Sequence, residues 1–410
     1  MNKTLLFKRI KVAMLVAIAV TLPTKWVNLN SLFIILFILA WLGDFLFNKK
    51  KPEFNFLVLI SFTSFFVLSL ISVLYSSNLP PLLSKLETRL AIVAFPLALL
   101  GSKEGDKNTL RMILTGFLVS CILVSLLCLG YTLYINYVNG ISYHLYNNWL
   151  FSSDNLVERF GFHPSYFSIY CAFCVFIILF FYKEEKLRGW SSFLLILYLC
   201  VIQLLLASRV GIVSFTTLFM LTIVYEAYAR KQLVVGVVIA FIFMGIIYVL
   251  VMNSQTVKDK FDALLDRNIH IYNERFRVNR RGMQWSSAVQ VFRKSPIVGV
   301  GVGDMQDELQ KVYLEKGFTE GYDNQYNPHN LFLDSAVALG ILGVLSNLIL
   351  FGVSFFCAIK QKNILYLQFL ILFVLISLVE STFSVQKGVV FFFFFNTFFY
   401  SQLSNPVDMK

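Results

Sequence analysis

Arginine and histidine residues at the ends of long apolar runs are the side chains of this sequence best suited to chemistry. Arg209 follows Ser208 in Leu206-Ala207-Ser208-Arg209-Val210-Gly211, where two apolar runs meet with almost no loop between them. Its guanidinium must sit close to the helix ends, either snorkelling outward as an interface anchor or holding an anion. Arg275, Arg277, Arg280 and Arg281 form a cluster. Fork-shaped donors suit phosphate or diphosphate oxygens, while a solvated face or an anionic-lipid contact is the plainer reading of the cluster as a whole. Arg281 stands apart because it precedes an amphipathic pattern carrying Trp285, which puts it at a helix start near the membrane surface. His329, in Asn327-Pro328-His329-Asn330-Leu331, opens a long apolar run. The dipole at a helix start favours a neutral ring able to accept a proton, which suits a general base; an interfacial histidine is the alternative. His163, in Phe162-His163-Pro164-Ser165-Tyr166, opens another run and is a rival base. Glu380 ends a run where it can pair with an arginine, and Arg89 either binds a phosphate or anchors its helix.

Other features point away from particular chemistries. Gly299, Gly301 and Gly303 in Pro296-Ile297-Val298-Gly299-Val300-Gly301-Val302-Gly303 lack the preceding strand and following Lys-Ser/Thr of a phosphate loop. They read as a tight turn returning the chain to the membrane. The six cysteines lie in apolar runs, and Cys171 and Cys174 form a C-x-x-C at membrane depth, so they read as small core residues. No carboxylate pair or His/Cys cluster has ligand-like spacing, so no metal and no cofactor is expected. The basic residues are divided among many loops, which leaves no nucleic-acid surface.

The elements that position these residues follow from hydropathy. The chain has 410 residues, 58% apolar and 14% charged, with 43 Phe. Soluble domains carry about 25% charge, whereas these apolar residues amount to close to twelve spans of roughly 20 residues. The runs are unbroken instead of alternating, which disfavours a β-barrel. Spans are expected near 10–26, 30–47, 54–75, 88–101, 110–137, 164–182, 190–207, 210–229, 233–252, 330–358, 364–381 and 388–403. The expected fold is an all-α polytopic membrane protein of about 12 transmembrane helices, with one large helical loop facing outward. The first run, with Lys3, Lys8, Arg9 and Lys11 before it, lacks a small-x-small cleavage site and reads as a retained helix.

Charge sets the orientation. With the N-terminus inside, the inner segments hold 18 of the 35 basic residues and the short outer segments 6, as the positive-inside rule requires. Both termini are therefore expected in the cytoplasm. The other 11 fall between Asn253 and Asn330, a stretch too long for a mere connector. Helical patterns there join Phe261, Leu264 and Leu265, then Trp285, Ala288, Val289 and Phe292. A third helix is expected from an N-cap at Asp304, presenting Met305, Leu309, Val312 and Tyr313 and stopping at Gly317. The expected organisation is helices in 1–252, a cap in 253–329, and the last helices in 330–410.

Together these residues resemble the O-antigen ligase and polymerase family of bacterial envelope glycosyltransferases. The similarity is carried by Ser208-Arg209; by Arg281-Gly282-Met283-Gln284-Trp285 with Ser295-Pro296 and Gly299-Val300-Gly301-Val302-Gly303; and by His329-Asn330-Leu331-Phe332-Leu333 with Gly340-Ile341-Leu342-Gly343. Looser echoes are Arg89 with Pro96, and Glu380 with Gly388. The resemblance implies a twelve-helix fold in the bacterial inner membrane with a periplasmic active site. It implies an undecaprenyl-diphosphate-linked glycan as donor, Arg209 and Arg281 on the donor diphosphate, and His329 on the acceptor hydroxyl. Arg280, beside Arg281, competes for the motif position; the spacing to Trp285 favours Arg281.

The implied reaction is metal-independent inverting transfer, with His329 positioning or deprotonating the attacking hydroxyl and the arginines stabilising the leaving diphosphate. Lipid A-core is the acceptor for a ligase, a second lipid-linked repeat for a polymerase, and a polypeptide for a third member type. The ligase branch is preferred for its short cap and close motif spacing. A transporter of lipid-linked sugars is the competing class; it predicts charges on inward-facing spans too, whereas Arg209, Arg281, His329 and Glu380 all fall on the outer side.

Overall fold

The computed structural model describes residues 3–48, 55–100, 106–140, 154–184, 186–187, 189–253 and 280–402. Fifteen of its helices organise the molecule: α1 Lys3–Thr21, α2 Val27–Asn48, α3 Phe56–Ile71, α4 Leu79–Arg89, α5 Ala91–Leu100, α6 Lys107–Val138, α7 Pro164–Lys183, α8 Trp190–Leu206, α9 Arg209–Ala229, α10 Leu233–Asn253, α11 Arg280–Lys294, α12 Met305–Glu315, α13 Leu331–Lys360, α14 Ile364–Ser377 and α15 Gln386–Ser401. The protein is an all-α polytopic membrane protein. Seven of these helices are long and apolar enough to cross a membrane unaided, and α8 and α14 are apolar but shorter. Each expected span coincides with a helix.

Helix boundaries have local causes. Asn55, Asp106, Ser208, Asn330 and Asn363 occupy N-cap positions and accept the N–H of Val58, Thr109, Gly211, Leu333 and Tyr366. Such short polar side chains satisfy donors that a helix start leaves free. The span expected at 88–101 begins later, at Ala91, because the amphipathic α4 precedes it; Pro80 and Pro81 stand in its first turn, where a missing N–H costs nothing.

Burial separates core helices from lipid-facing ones. The apolar window of α7 is 83% buried, whereas those of α2 and α10 are 17% buried. On α15 the run Phe391–Phe395 with Phe398 and Phe399 is wholly buried. Phe395 meets Phe117, Phe173 and Phe369 with centroids 5.1–5.8 Å apart, a separation at which aromatic pairs attract. Polar links also join the helices: Ser168 and Gln203 bond reciprocally and Gln368 donates to Thr222 at 2.9 Å, while within α13 Asn347 donates to Ser335 at 2.7 Å. Each such bond in lipid is worth about 0.6 kcal/mol. A Cβ on Gly211 would overlap the Ser168 hydroxyl, so that glycine is what lets α9 lie against α7. Lys11, expected in a solvent-facing segment, is buried in α1 and pairs with Asp44 of α2 at 2.6 Å.

A break in α13 governs one end of the bundle. Gly340 has φ 63° and ψ −154° inside the helix, and the backbone groups this frees bond to the segment after α11. Val300 N–H donates to Val337 O at 2.9 Å and Gly301 N–H to Ala338 O at 3.0 Å; Ile341 N–H donates to Pro296 O at 2.8 Å and Leu342 N–H to Ile297 O at 3.4 Å. Backbone at membrane depth must find partners within the protein, and residues 296–301 supply them. A Cβ on Gly299 would stand 2.4 Å from backbone atoms of Ala338 and Leu339. The glycine-rich stretch is therefore a close backbone contact, more specific than the turn expected from sequence.

The other segments around α11 and α12 correct two expectations. The buried stripe of α11 is Gln284, Ser287, Ala288 and Val291, not Trp285, Ala288, Val289 and Phe292. The helix is rotated so that its smaller residues pack inward, and Trp285 is 37% exposed. Met305, Leu309, Val312 and Tyr313 are buried on α12 as expected, and Gly317 (φ 65°) follows its end. Asp304, however, makes no cap bond to its own helix. Its carboxylate accepts the N–H groups of Ser77 and Asn78, both at 2.8 Å, tying α12 to the α3–α4 connection. The helix expected around Phe261, Leu264 and Leu265, and the residues Arg275 and Arg277, lie outside the described residues.

Candidate active site

The approach to α13 is built from side chains that fold the backbone back on itself. Asn327 Oδ1 accepts the His329 N–H at 2.8 Å, and His329 adopts the left-handed region at φ 45°, sparsely populated without glycine. Asn330 caps α13 and also donates from Nδ2 to Leu378 O at 2.7 Å. Ser381 bridges the loop, accepting the Asn330 N–H and donating to Asn327 Oδ1, each at 3.3 Å. Residues 327–330 are thus pinned to the turn after α14.

That turn carries Glu380, which is 5% exposed. Its two carboxylate oxygens serve different partners: Oε2 lies 3.1 Å from His329 Nδ1, and Oε1 lies 3.8 Å from Arg281 Nη2. Burial alone would raise the Glu380 carboxyl. The hydrogen bond and charge of His329, with the charges of His163 and Arg281, outweigh it and hold the group below its ordinary value. An ionised carboxylate only accepts, so this contact places a hydrogen on His329 Nδ1. His329 precedes the N-cap instead of occupying the first turn, and Glu380, not the helix dipole, is what orients its ring. The Tyr326 ring stands edge-on to the imidazole at 6.2 Å.

Arg281, in the first turn of α11, and Arg209, at the start of α9, are close enough to repel electrostatically. Ala207 (φ 46°) makes the tight turn between α8 and α9 that delivers Arg209 there. His163 stands at the N-cap position of α7 without capping it, its ring 6.3 Å from that of Tyr166, within electrostatic range of Glu380. Arg209, Arg281, His329, Glu380 and His163 therefore converge from five separate parts of the chain.

Two sequence candidates point elsewhere. Arg280 pairs with Glu320 at 2.6 Å, and Glu320 also accepts from the Tyr326 hydroxyl at 3.3 Å, so it braces the short helix Thr319–Asp323. Arg89 is 1% exposed. Its Nε donates to Phe383 O at 3.2 Å, Nη1 to Ser69 Oγ at 3.0 Å, and its Cζ lies 4.8 Å from the Phe65 ring centroid. Of its two readings, the anchor is the one the structure has. Sequence reasoning missed its counter-ion, Asp334, which lies 4.0 Å from Arg89 Nη2, is fully buried and accepts from Ser384 Oγ at 2.8 Å. An acidic residue one turn into an apolar run is a visible signal. Lys85, counted only as an outer charge, also turns inward and donates to Ser384 O at 3.4 Å.

Among the described residues, no group of three or more His, Cys, Asp or Glu is arranged to hold a metal ion. The fold defines a polytopic membrane protein, and at one end of its bundle basic side chains gather around a histidine–carboxylate pair. Residues 193–348 match the family model described as O-Antigen ligase, so the chain carries an O-antigen ligase family domain. The match runs from α8 through the break in α13 and includes Arg209, Arg281 and His329; Glu380, His163 and Arg89 lie outside it. The match supports a membrane glycosyltransferase of the O-antigen ligase and polymerase type. A search of curated proteins found no match to the chain.

Proposed function

We propose that this protein transfers a glycan from undecaprenyl diphosphate to an acceptor hydroxyl at the periplasmic face of the bacterial inner membrane, and that it is an O-antigen ligase acting on lipid A-core. The observation that carries this reading is the division of Glu380 between His329 and Arg281 with Arg209 alongside. Two guanidiniums held near each other despite repulsion suit an anion of more than one charge, and a diphosphate offers oxygens to both. In the transfer, the acceptor oxygen bonds to the anomeric carbon as that carbon's bond to the diphosphate breaks. The hydroxyl proton passes to His329 Nε2, and polyprenyl diphosphate departs with its charge stabilised by Arg209 and Arg281. Displacement from the opposite face inverts the anomeric centre, and no divalent ion is required.

The test is purified protein in vesicles with a lipid-linked glycan and, separately, lipid A-core, a second lipid-linked repeat, or an acceptor polypeptide. A new linkage on lipid A-core is expected. Transfer confined to the second repeat makes the protein a polymerase, and donor movement without a new linkage makes it a transporter. His329→Ala should lower transfer by about 10²–10⁴-fold while leaving donor binding intact; full activity in that variant removes His329 from the mechanism.

A further inference from the structure

A cavity of 1790 Å³ lies at the end of the bundle opposite His329, among the ends of α3, α6, α7, α9, α10, α13, α14 and α15. It shares no residue with the site above. Its mouth carries Lys107, Arg111, Lys183, Arg230, Lys360 and Lys362 against Asp106, Glu184 and Glu226. Each carboxylate is already engaged. Asp106 caps α6 and meets Lys8 at 3.4 Å, Glu184 takes Arg111 at 3.0 Å, and Glu226 takes Lys183. Among the described residues, Lys107, Arg230, Lys360 and Lys362 have no carboxylate within 4.0 Å, and Lys360 lies over the Phe356 ring instead, 6.0 Å from its centroid.

Deeper walls are apolar, formed by Leu179, Phe219, Ile223, Val353 and Phe356. The volume exceeds the about 300–1,000 Å³ of an ordinary small-molecule pocket. A cationic mouth at the level of the charged loops, above an apolar body at membrane depth, matches a molecule with an anionic head and hydrocarbon tails. Basic pockets between membrane helices hold such head groups.

We propose that this cavity binds an anionic phospholipid from the adjoining monolayer, its head group on Lys107, Arg230, Lys360 and Lys362 and an acyl chain along Phe219 and Phe356. A soluble phosphate would meet the mouth but gain nothing from the walls. A zwitterionic lipid would fill the walls but bring no net charge to the mouth.

The test uses full-length protein in neutral detergent, with phosphatidylglycerol, phosphatidylcholine or inorganic phosphate added, reading the shift in Tm and the lipid retained in native mass spectrometry. Phosphatidylglycerol should raise Tm and stay bound, with the effect falling at high salt; the other two should not. Lys107→Gln, Arg230→Gln, Lys360→Gln and Lys362→Gln should each weaken phosphatidylglycerol binding about fivefold, and the Lys107→Gln/Lys360→Gln/Lys362→Gln variant about a hundredfold. The single variants keep the measurement meaningful if the triple variant does not fold. Equal binding of the two lipids, a shift reproduced by phosphate alone, or unchanged affinity in the four single variants would overturn the proposal.

Discussion

Glu380 concentrates the chemistry of the site in one side chain, since it orients a histidine with one oxygen and faces an arginine with the other. Its carboxyl is held below the ordinary value, so its stabilising contribution is complete above about pH 4.3 and is lost as pH falls through the lower folded value. Thermal unfolding of wild type against Glu380→Gln from pH 7 to pH 3 should show a wild-type advantage that shrinks below about pH 4; a gap constant over that range would deny the pair its role. The same variant should lower kcat with little change in KM. Arg89 behaves differently because it is buried with Asp334. Arg89→Met should cost about 3–5 kcal/mol, because it strands a buried carboxylate, and Arg89→Met with Asp334→Leu should recover most of that. Denaturant unfolding of both variants and the Asp334→Leu single variant completes the cycle. Arg209, His329 and His163 were legible in sequence as polar residues at the ends of apolar runs, and Arg281 as the residue that opens an amphipathic helix. Asp334 was not singled out, and its pairing with Arg89 joins two helices far apart in the chain, which no local pattern encodes.

The helices themselves were legible because unbroken apolar runs leave a membrane segment little choice but to satisfy its own backbone. Where a segment is amphipathic, the sequence says less. α4 escaped notice, and the inward face of α11 was misjudged because the burial of Ser287 and Ala288, not the position of Trp285, decides the rotation. The break at Gly340 was hidden for another reason: glycine is common in membrane helices, and the sequence does not distinguish one that bends the chain from one that fills a gap. The two kinds can be told apart experimentally. A Cβ on Gly340 would stand 2.3 Å from Ile297 O at positive φ, whereas one on Gly352 in the same helix meets nothing within 4 Å. Gly340→Ala should destabilise by about 1–3 kcal/mol, and Gly352→Ala should be neutral or stabilise by about 0.5–1 kcal/mol. Limited proteolysis should find α11 and α12 cut faster in the first variant only.

At the scale of the whole molecule, composition and charge were the informative quantities. The surplus of basic residues on alternate connections orients the twelve expected spans, and the converging side chains at 163, 209, 281, 329 and 380 all fall at the other end. That orientation predicts which surfaces a membrane-impermeant thiol reagent reaches. Lys316→Cys, after α12, should label in intact cells, and Lys231→Cys, between α9 and α10, only after permeabilisation. The native cysteines are buried or partly buried, which keeps their background low. The reverse pattern would invert the topology and move the site to the cytoplasm. The Phe-rich core around α15 was not legible as a core, because a run such as Phe391–Phe395 reads equally well as a surface for lipid.

The backbone bonds between residues 296–301 and the break in α13 also constrain how a bulky lipid-linked sugar can arrive. Lifting the segment that holds α11 away from the bundle would strip four N–H and four C=O groups of their partners where water is scarce, and each would cost several kcal/mol. Segment 296–301 and α13 therefore travel together as one rigid wall, so this seam cannot serve as a door. Any passage for substrate has to open along some other boundary of the bundle.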